Sequence, residues 1–194
     1  MQLVLATHNG HKVDELRSIL GLRLDGIELL GYEGPEPVED GDTFEANALI
    51  KARAAFAHTG LPSIADDSGI SAKALGGAPG IHSARYAGTR DDGDNLRLLL
   101  SRMSGFDDRT AAFTCAAAYV DDRLEHVEVG VWPGTVLREA HGSGGFGYDP
   151  IFRPDNGLVS AAELSAEEKN KVSHRAIAFE RLLDFIRTLP ASSP

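Results

Sequence analysis

Ile64-Ala65-Asp66-Asp67-Ser68-Gly69 runs two apolar residues into two adjacent carboxylates, then a hydroxyl and a glycine. Apolar residues closing a buried strand and followed by charge describe a strand that emerges from a core into a cleft. Alternation along an extended backbone sends Asp66 and Asp67 to opposite sides. One carboxylate is then available to a reaction centre while the other is held by the scaffold or by a second ion. The same letters also spell an ordinary strand-to-turn junction. The rest of the chain decides between the two.

Ahead of this stretch, Glu39-Asp40-Gly41-Asp42-Thr43-Phe44-Glu45 carries acidic side chains at Glu39, Asp40, Asp42 and Glu45. Asp42 and Glu45 have capping-box spacing, which leaves Glu39 and Asp40 just before a helix, where an ion could sit. The alanine-rich segment that follows predicts a helix from Thr43 to about Thr59, stopped at Gly60. Phe44, Asn47 and Lys51 fall on one face of it by three-and-four spacing. Lys51 is there either a snorkelling surface residue or a charge reaching into a cleft.

Farther back, Gln2-Leu3-Val4-Leu5-Ala6 reads as a short strand, and Val13, Leu16, Ile19 and Leu20 mark a helix. Between them lies the polar loop Thr7-His8-Asn9-Gly10-His11-Lys12. A strand, a polar loop and a helix N-terminus make an anion site from unpaired N–H groups; Thr7 and Asn9 add donors and Lys12 a positive charge. In the plainer account Asn9 caps the helix and Lys12 is solvated. A further strand is expected around Ile27-Glu28-Leu29-Leu30.

The 194 residues suffice for one domain with a real core and room for a small second lobe. Cys115 is the single cysteine, which excludes an internal disulfide and a cysteine metal cluster. Apolar runs fall well short of a membrane span, and Met1-Gln2-Leu3-Val4-Leu5-Ala6 lacks the flank and cleavage pattern of a signal peptide. A cytoplasmic protein with no membrane partner is expected. The formal net charge of −10 argues against a nucleic-acid partner, which needs a basic face. Cations number 14 arginines and five lysines, so an anionic ligand calls for a few local positive groups and for metal ions.

Downstream, Gly76-Gly77-Ala78-Pro79-Gly80 is a tight loop, and Ile81 to Tyr86 is polar without a clear period. Leu96, Leu99, Leu100 and Met103 mark an amphipathic helix. Thr110 to Val120 and Leu124 to Val131 are β-rich runs joined by a hairpin at Asp121-Asp122-Arg123. Trp132-Pro133-Gly134 is expected to end the second run, with Thr135 to Arg138 as one more strand.

Gly142-Ser143-Gly144-Gly145-Phe146-Gly147 matches G-x-G-x-x-G by letter. No apolar strand immediately precedes it, and Asp149-Pro150 follows where a helix should open, so the dinucleotide reading is rejected. A glycine loop that sets Phe146, Tyr148 and Asp149 beside a ligand fits better. Ser165-Ala166-Glu167-Glu168 is a capping box opening a short helix that carries Lys169. Ser173-His174-Arg175 begins the last helix, with Ile177, Leu182, Phe185, Ile186 and Leu189 on its apolar face.

Together these segments resemble the inosine triphosphate pyrophosphatase family, in its bacterial branch. The likeness rests on Thr7 to Lys12, Thr43-Phe44-Glu45-Ala46-Asn47-Ala48 to Lys51, and Ala65-Asp66-Asp67-Ser68-Gly69. It continues in Gly76 to Gly80 with Ser83-Ala84-Arg85-Tyr86, in Gly144-Gly145-Phe146-Gly147-Tyr148-Asp149-Pro150, and in Glu167-Glu168-Lys169 to Ser173-His174-Arg175. Each is weak alone; six in the family's order, spanning nearly the whole chain, are strong.

The resemblance implies an α/β fold, a long mixed sheet flanked by helices, with two lobes and a central cleft, in a homodimer. It implies Mg²⁺-dependent hydrolysis of non-standard purine nucleoside triphosphates, those of inosine, deoxyinosine and xanthosine, to the monophosphate and pyrophosphate. By the same resemblance Glu39 and Asp67 hold the metal, and Asp67 accepts a proton from the attacking water. Thr7, His8, Asn9, Gly10, His11 and Lys12, with Lys51 and Ser68, grip phosphates and sugar. Hypoxanthine and xanthine carry a carbonyl at C6 where adenine carries an amine. Donors from Lys169, His174 and Arg175 suit that carbonyl, Phe146 a stack on the base, and Asp149 the ring N1–H, beside Gly147 and Tyr148. Asp66 is left either to a second metal or to orienting its neighbour. Two alternatives stay open: a pyrophosphatase of related fold acting on pyrimidine or modified nucleotides, and a catalytically silent nucleotide-binding module.

Overall fold

A computed structural model describes residues 1–7 and 16–190, with residues 22 and 23 described by their backbone alone. The predicted loop residues His8, Asn9, Gly10, His11 and Lys12, and Val13 after them, lie outside the described residues. The strands are β1 Gln2–Leu5, β2 Glu28–Gly31, β3 Ser63–Ala72, β4 Thr110–Val120, β5 Glu125–Val136 and β6 Phe152–Pro154. They form one sheet in the order β2-β1-β3-β4-β5-β6. β1 runs parallel to β2 and β3, and β6 antiparallel to β5, so the sheet is mixed. The helices are α1 Phe44–Thr59, α2 Asp92–Met103, α3 Ala166–Val172 and α4 His174–Thr188, and residues 16–20 are also helical. Among the described residues no helix is long and apolar enough to cross a membrane.

The chain forms two compact units: Met1–Asp67 with Cys115–Gly130 and Arg175–Pro194, and Ser68–Thr114 with Val131–His174. In the first unit, strand alternation divides the core into two layers. Leu3, Leu5, Ile64, Cys115, Ala117 and Tyr119 face Phe179, Leu182, Leu183 and Ile186 of α4. The intervening Val4, Ala6, Ala65, Ala116 and Ala118 face Ala48, Ala52 and Ala55 of α1. All three of those helix alanines are fully buried. Small residues on both sides let α1 lie close to its strands, which fixes where Asn47 and Lys51 sit. The second unit has its own core, in which Ile70, Phe113, Trp132, Phe152 and Tyr148 pack with Leu99 and Met103 of α2.

Several boundaries differ from the sequence expectation. The acidic pair is no turn: β3 continues through Asp66 and Asp67 to Ala72, because Ile70 and Ala72 re-enter an apolar core. β5 does not stop at Trp132 but runs on to Val136. The Pro133 carbonyl accepts the Asp155 N–H at 3.1 Å, so the proline keeps a place in the sheet. Gly134 leaves the room that the Phe152 ring takes on β6. The helix cap falls one residue later than Asp42: Thr43 accepts the Ala46 N–H, and Gly60 closes the helix in the left-handed conformation (φ 69°). Gly80–Arg85, read as aperiodic, is a 3₁₀ helix. The capping box at Ser165 and Glu168 forms as the spacing predicts.

Candidate functional site

In the first unit a charged cluster gathers around Lys51. Asn47 and Lys51 are one helical turn apart on α1, which puts both on one face. The Lys51 ammonium lies 3.3 Å from Glu39 Oε2 and 3.5 Å from Asp67 Oδ1. Asp67 also accepts the Asn47 Nδ2–H at Oδ2, 3.2 Å away. Asp66, the neighbouring residue on β3, is held elsewhere: its Oδ2 accepts from Arg175 Nη2 at 3.3 Å and from Nε at 3.4 Å. Both members of that pair are buried. The two adjacent aspartates thus take different partners. One is clamped inside by an arginine; the other meets a lysine, an amide and a second carboxylate.

Burial works against the Lys51 ammonium, but the negative charges of Asp66, Asp67 and Glu39 outweigh it and hold its pKa above the ordinary lysine value. Burial also pushes the Asp67 carboxyl above the usual aspartate range. Glu39 and Asp66 reinforce that rise, while Lys51 and Asn47 oppose it. An aspartate with a raised pKa is a better proton acceptor than a solvated one. The Glu39 side chain keeps 27 % of its surface open, against 13 % for Asp67. Thr7 follows β1, with its N–H donated to the Leu5 carbonyl at 2.9 Å.

In the second unit a separate cluster forms around Asp149, which is almost fully buried. Its Oδ2 accepts from Lys169 Nζ at 2.6 Å and from the Phe146 backbone N–H at 2.9 Å. The same ammonium stands 4.7 Å from the centre of the Phe146 ring, a cation–π distance. Gly145, at φ 67°, passes so close to Asp149 that a Cβ there would collide with the carboxylate. The glycine loop is further tied by Gly144 N–H to the Ala162 carbonyl at 3.0 Å and by Gly147 N–H to Asp92 Oδ2 at 2.8 Å. Tyr148 points inward and donates its hydroxyl to the Ser83 carbonyl at 2.7 Å. Burial raises that phenol above its ordinary pKa. Phe146 is the exposed member, with 43 % of its surface open. The loop therefore exposes one aromatic ring, while the Lys169 ammonium beside it is buried on Asp149.

The remaining expected site residues fall as follows. Ser68 is half-buried on β3, next to Asp67 in the chain. His174 is buried, its ring stacked at 4.7 Å on Phe113 and 6.3 Å from Trp132. Arg175 is buried on Asp66. Three residues had no assigned role in the sequence: Asn47 and Ser83, quoted there as members of motifs, and Asp92. The signal for Asn47 was its four-residue spacing from Lys51. For Asp92 there was none, because its partner loop lies 55 residues away.

The Glu39 and Asp67 carboxylates, both beside Lys51, are hard oxygen donors, the ligand type that Mg²⁺ takes one or two of from a protein.

Comparison with known proteins points one way. The dITP/XTP pyrophosphatase of Leifsonia xyli subsp. xyli is 54% identical over 193 residues, 97% of each chain. That of Mycobacterium tuberculosis is 48% identical over 97% of this chain and 96% of its own. Among solved structures, a HAM1 protein from Coxiella burnetii superposes with a TM-score of 0.90 at 39% identity, covering 97% of this chain and 100% of that one. The Staphylococcus aureus Ham1 protein gives 0.88 at 35% identity, covering 96% and 98%. The sequence profile of the Ham1 family matches residues 3–185, and this chain belongs to that family.

Proposed function

We propose that this protein hydrolyses dITP, ITP and XTP to the monophosphate and pyrophosphate, removing non-standard purines from the nucleotide pool. The observation that carries the reading is the triad of Glu39, Lys51 and Asp67, in which a carboxylate of raised pKa sits beside a second carboxylate and a fixed ammonium. The relatives named dITP/XTP pyrophosphatase, matched over nearly their full lengths, support the substrate class.

Water attacks the α-phosphorus, the bond from that phosphorus to the bridging oxygen breaks, and pyrophosphate departs with the electron pair. Asp67 takes the proton released by the water. Lys51 places positive charge where the triphosphate gathers negative charge. Glu39 and Asp67 would hold Mg²⁺, which when bound supplies charge neutralisation and polarisation of a phosphoryl oxygen. Base choice falls to Lys169, whose ammonium, held 2.6 Å from Asp149, donates to a C6 carbonyl and meets the adenine amine with a donor facing a donor. Phe146 offers its exposed ring for stacking. His174 and Arg175 are read as further donors to that C6 carbonyl; both are buried, His174 stacked on Phe113 and Arg175 paired with Asp66. Thr7 to Lys12 and Ser68 serve the phosphates and sugar. We further read the protein as cytoplasmic and as homodimeric; light scattering on the purified chain checks the second.

The test is a panel of dITP, ITP, XTP, dATP, dGTP and pyrimidine triphosphates with Mg²⁺, read as pyrophosphate and orthophosphate released. Pyrophosphate from the first three is the expected result. Fastest release from a pyrimidine nucleotide, orthophosphate as product, or tight binding with no release would overturn the reading.

A further inference from the structure

Asn47 is 2 % exposed, and both ends of its amide are engaged. Its Oδ1 accepts the Gly41 N–H at 2.9 Å, which fixes the amide orientation and leaves Nδ2 to donate to Asp67 Oδ2 at 3.2 Å. Gly41 belongs to the same short acidic loop as Glu39, two residues along. The loop is pressed on the amide: a Cβ at Gly41 would stand 2.7 Å from Asn47 Oδ1 and 3.0 Å from the Asn47 nitrogen. Glu39 has no other backbone strand or helix to hold it, since the stretch from Tyr32 to Gly41 lies outside regular structure. One amide therefore spans the strand that carries Asp67 and the loop that carries Glu39. Lys51, one turn along the same helix, neutralises both carboxylates.

We propose that Asn47 is a positioning residue for the hydrolytic reaction, acting through Asp67 and the Glu39 loop rather than on the substrate. A buried amide is suited to this. It donates to one carboxylate without adding charge, and its carbonyl takes a backbone N–H that an apolar residue would leave unsatisfied. Substitution at such a supporting contact costs roughly 10- to 100-fold in activity. The inference rests on the assignment of Asp67 and Glu39 to the reacting end of the substrate.

Two variants separate its parts. Asn47→Leu keeps the volume and removes both hydrogen bonds. Asn47→Asp keeps the acceptor for Gly41 and replaces the donor to Asp67 by a third carboxylate. The measurements are kcat and KM for dITP, amide hydrogen exchange at Gly41, and the thermal midpoint. We expect kcat to fall by roughly 10- to 100-fold in both, with KM within about threefold of the parent. Gly41 should lose protection in Asn47→Leu and keep it in Asn47→Asp. A folded Asn47→Leu with kcat within about twofold of the parent, or a loss confined to the thermal midpoint, overturns the proposal. A parent that releases no pyrophosphate overturns the functional reading instead, and the exchange at Gly41 still reports whether the amide holds the loop.

Discussion

One oxygen of the buried Asp66 carboxylate accepts from both Nη2 and Nε of Arg175, at 3.3 and 3.4 Å. The pair joins β3 to the start of α4 inside the first unit. Removing one member takes this contact from the other buried charge in a low-dielectric interior. Arg175→Met should lower unfolding free energy by about 3–5 kcal/mol, and Arg175→Met with Asp66→Leu should recover much of that loss. Urea denaturation of the three proteins decides it. Equal losses in the single and double variants would show that the charge pair is not the cause.

Asp67→Asn should reduce turnover by about 10²- to 10⁴-fold, as expected for loss of a general base. It should also make the ligand-free protein more stable at neutral pH. The folded pKa of Asp67 lies above its unfolded value, so its stabilising protonation is present at low pH and lost as pH rises through the folded value. At neutral pH the ionised carboxylate opposes folding, and a neutral amide relieves it. Thermal midpoints at pH 7 and in acid should differ between parent and variant, with the advantage of the variant shrinking in acid. Parent-like turnover in a folded variant contradicts the role given to Asp67.

Lys169→Met removes the donor proposed to face a C6 carbonyl while keeping much of the stem. The preference for dITP over dATP should fall by about 10-fold or more in kcat/KM, more than the affinity for inorganic pyrophosphate changes. Asp149 then loses its partner at 2.6 Å, so the second unit should also become less stable. Unchanged discrimination in a folded variant would remove Lys169 from base reading.

Gly69→Ala tests the packing just beyond the aspartates. A Cβ there would collide with Ser83 Oγ and stand 2.6 Å from the Gly80 carbonyl. Ser83 cannot swing away freely, because its Oγ accepts the Ile70 N–H at 2.9 Å and donates to that same carbonyl at 2.6 Å. A cost of about 1–3 kcal/mol is expected in denaturant unfolding. A parent-like midpoint would mean that Gly80–Arg85 yields at little cost.

Chelation supplies the last prediction. Treatment with EDTA should abolish pyrophosphate release from dITP, and added Mg²⁺ should restore it, as two carboxylates and one ammonium carry too little positive charge for a triphosphate. Undiminished release after exhaustive chelation would remove Glu39 and Asp67 from metal binding.

Much of this was legible in the letters. The end of α1 at Gly60, the capping box at Ser165 and Glu168, and the strand of Thr110 to Val120 follow from local propensity, capping chemistry and alternation. The rejection of a dinucleotide loop at Gly142 to Gly147 came from its neighbours, and in the fold β5 ends at Val136, short of Gly142. Other features misled. Asp66-Asp67-Ser68-Gly69 is locally a turn, and only the apolar residues beyond it, packed in a second core, keep it extended. Trp132-Pro133-Gly134 looks like a stop until β6 lies against it.

The sequence by itself determined the periodic elements, the apolar layers and the order of the motifs, because these depend on residues within a few turns of one another. Only the tertiary structure decided what each aspartate touches. Asp66 is neutralised by an arginine 109 positions away, while Asp67 meets Asn47 and Lys51 from a helix 20 and 16 positions back. Asp149 and Lys169 likewise become a pair only across a fold. Charge in an interior takes its meaning from burial and from partners brought together by packing, and neither is written in any local stretch of sequence.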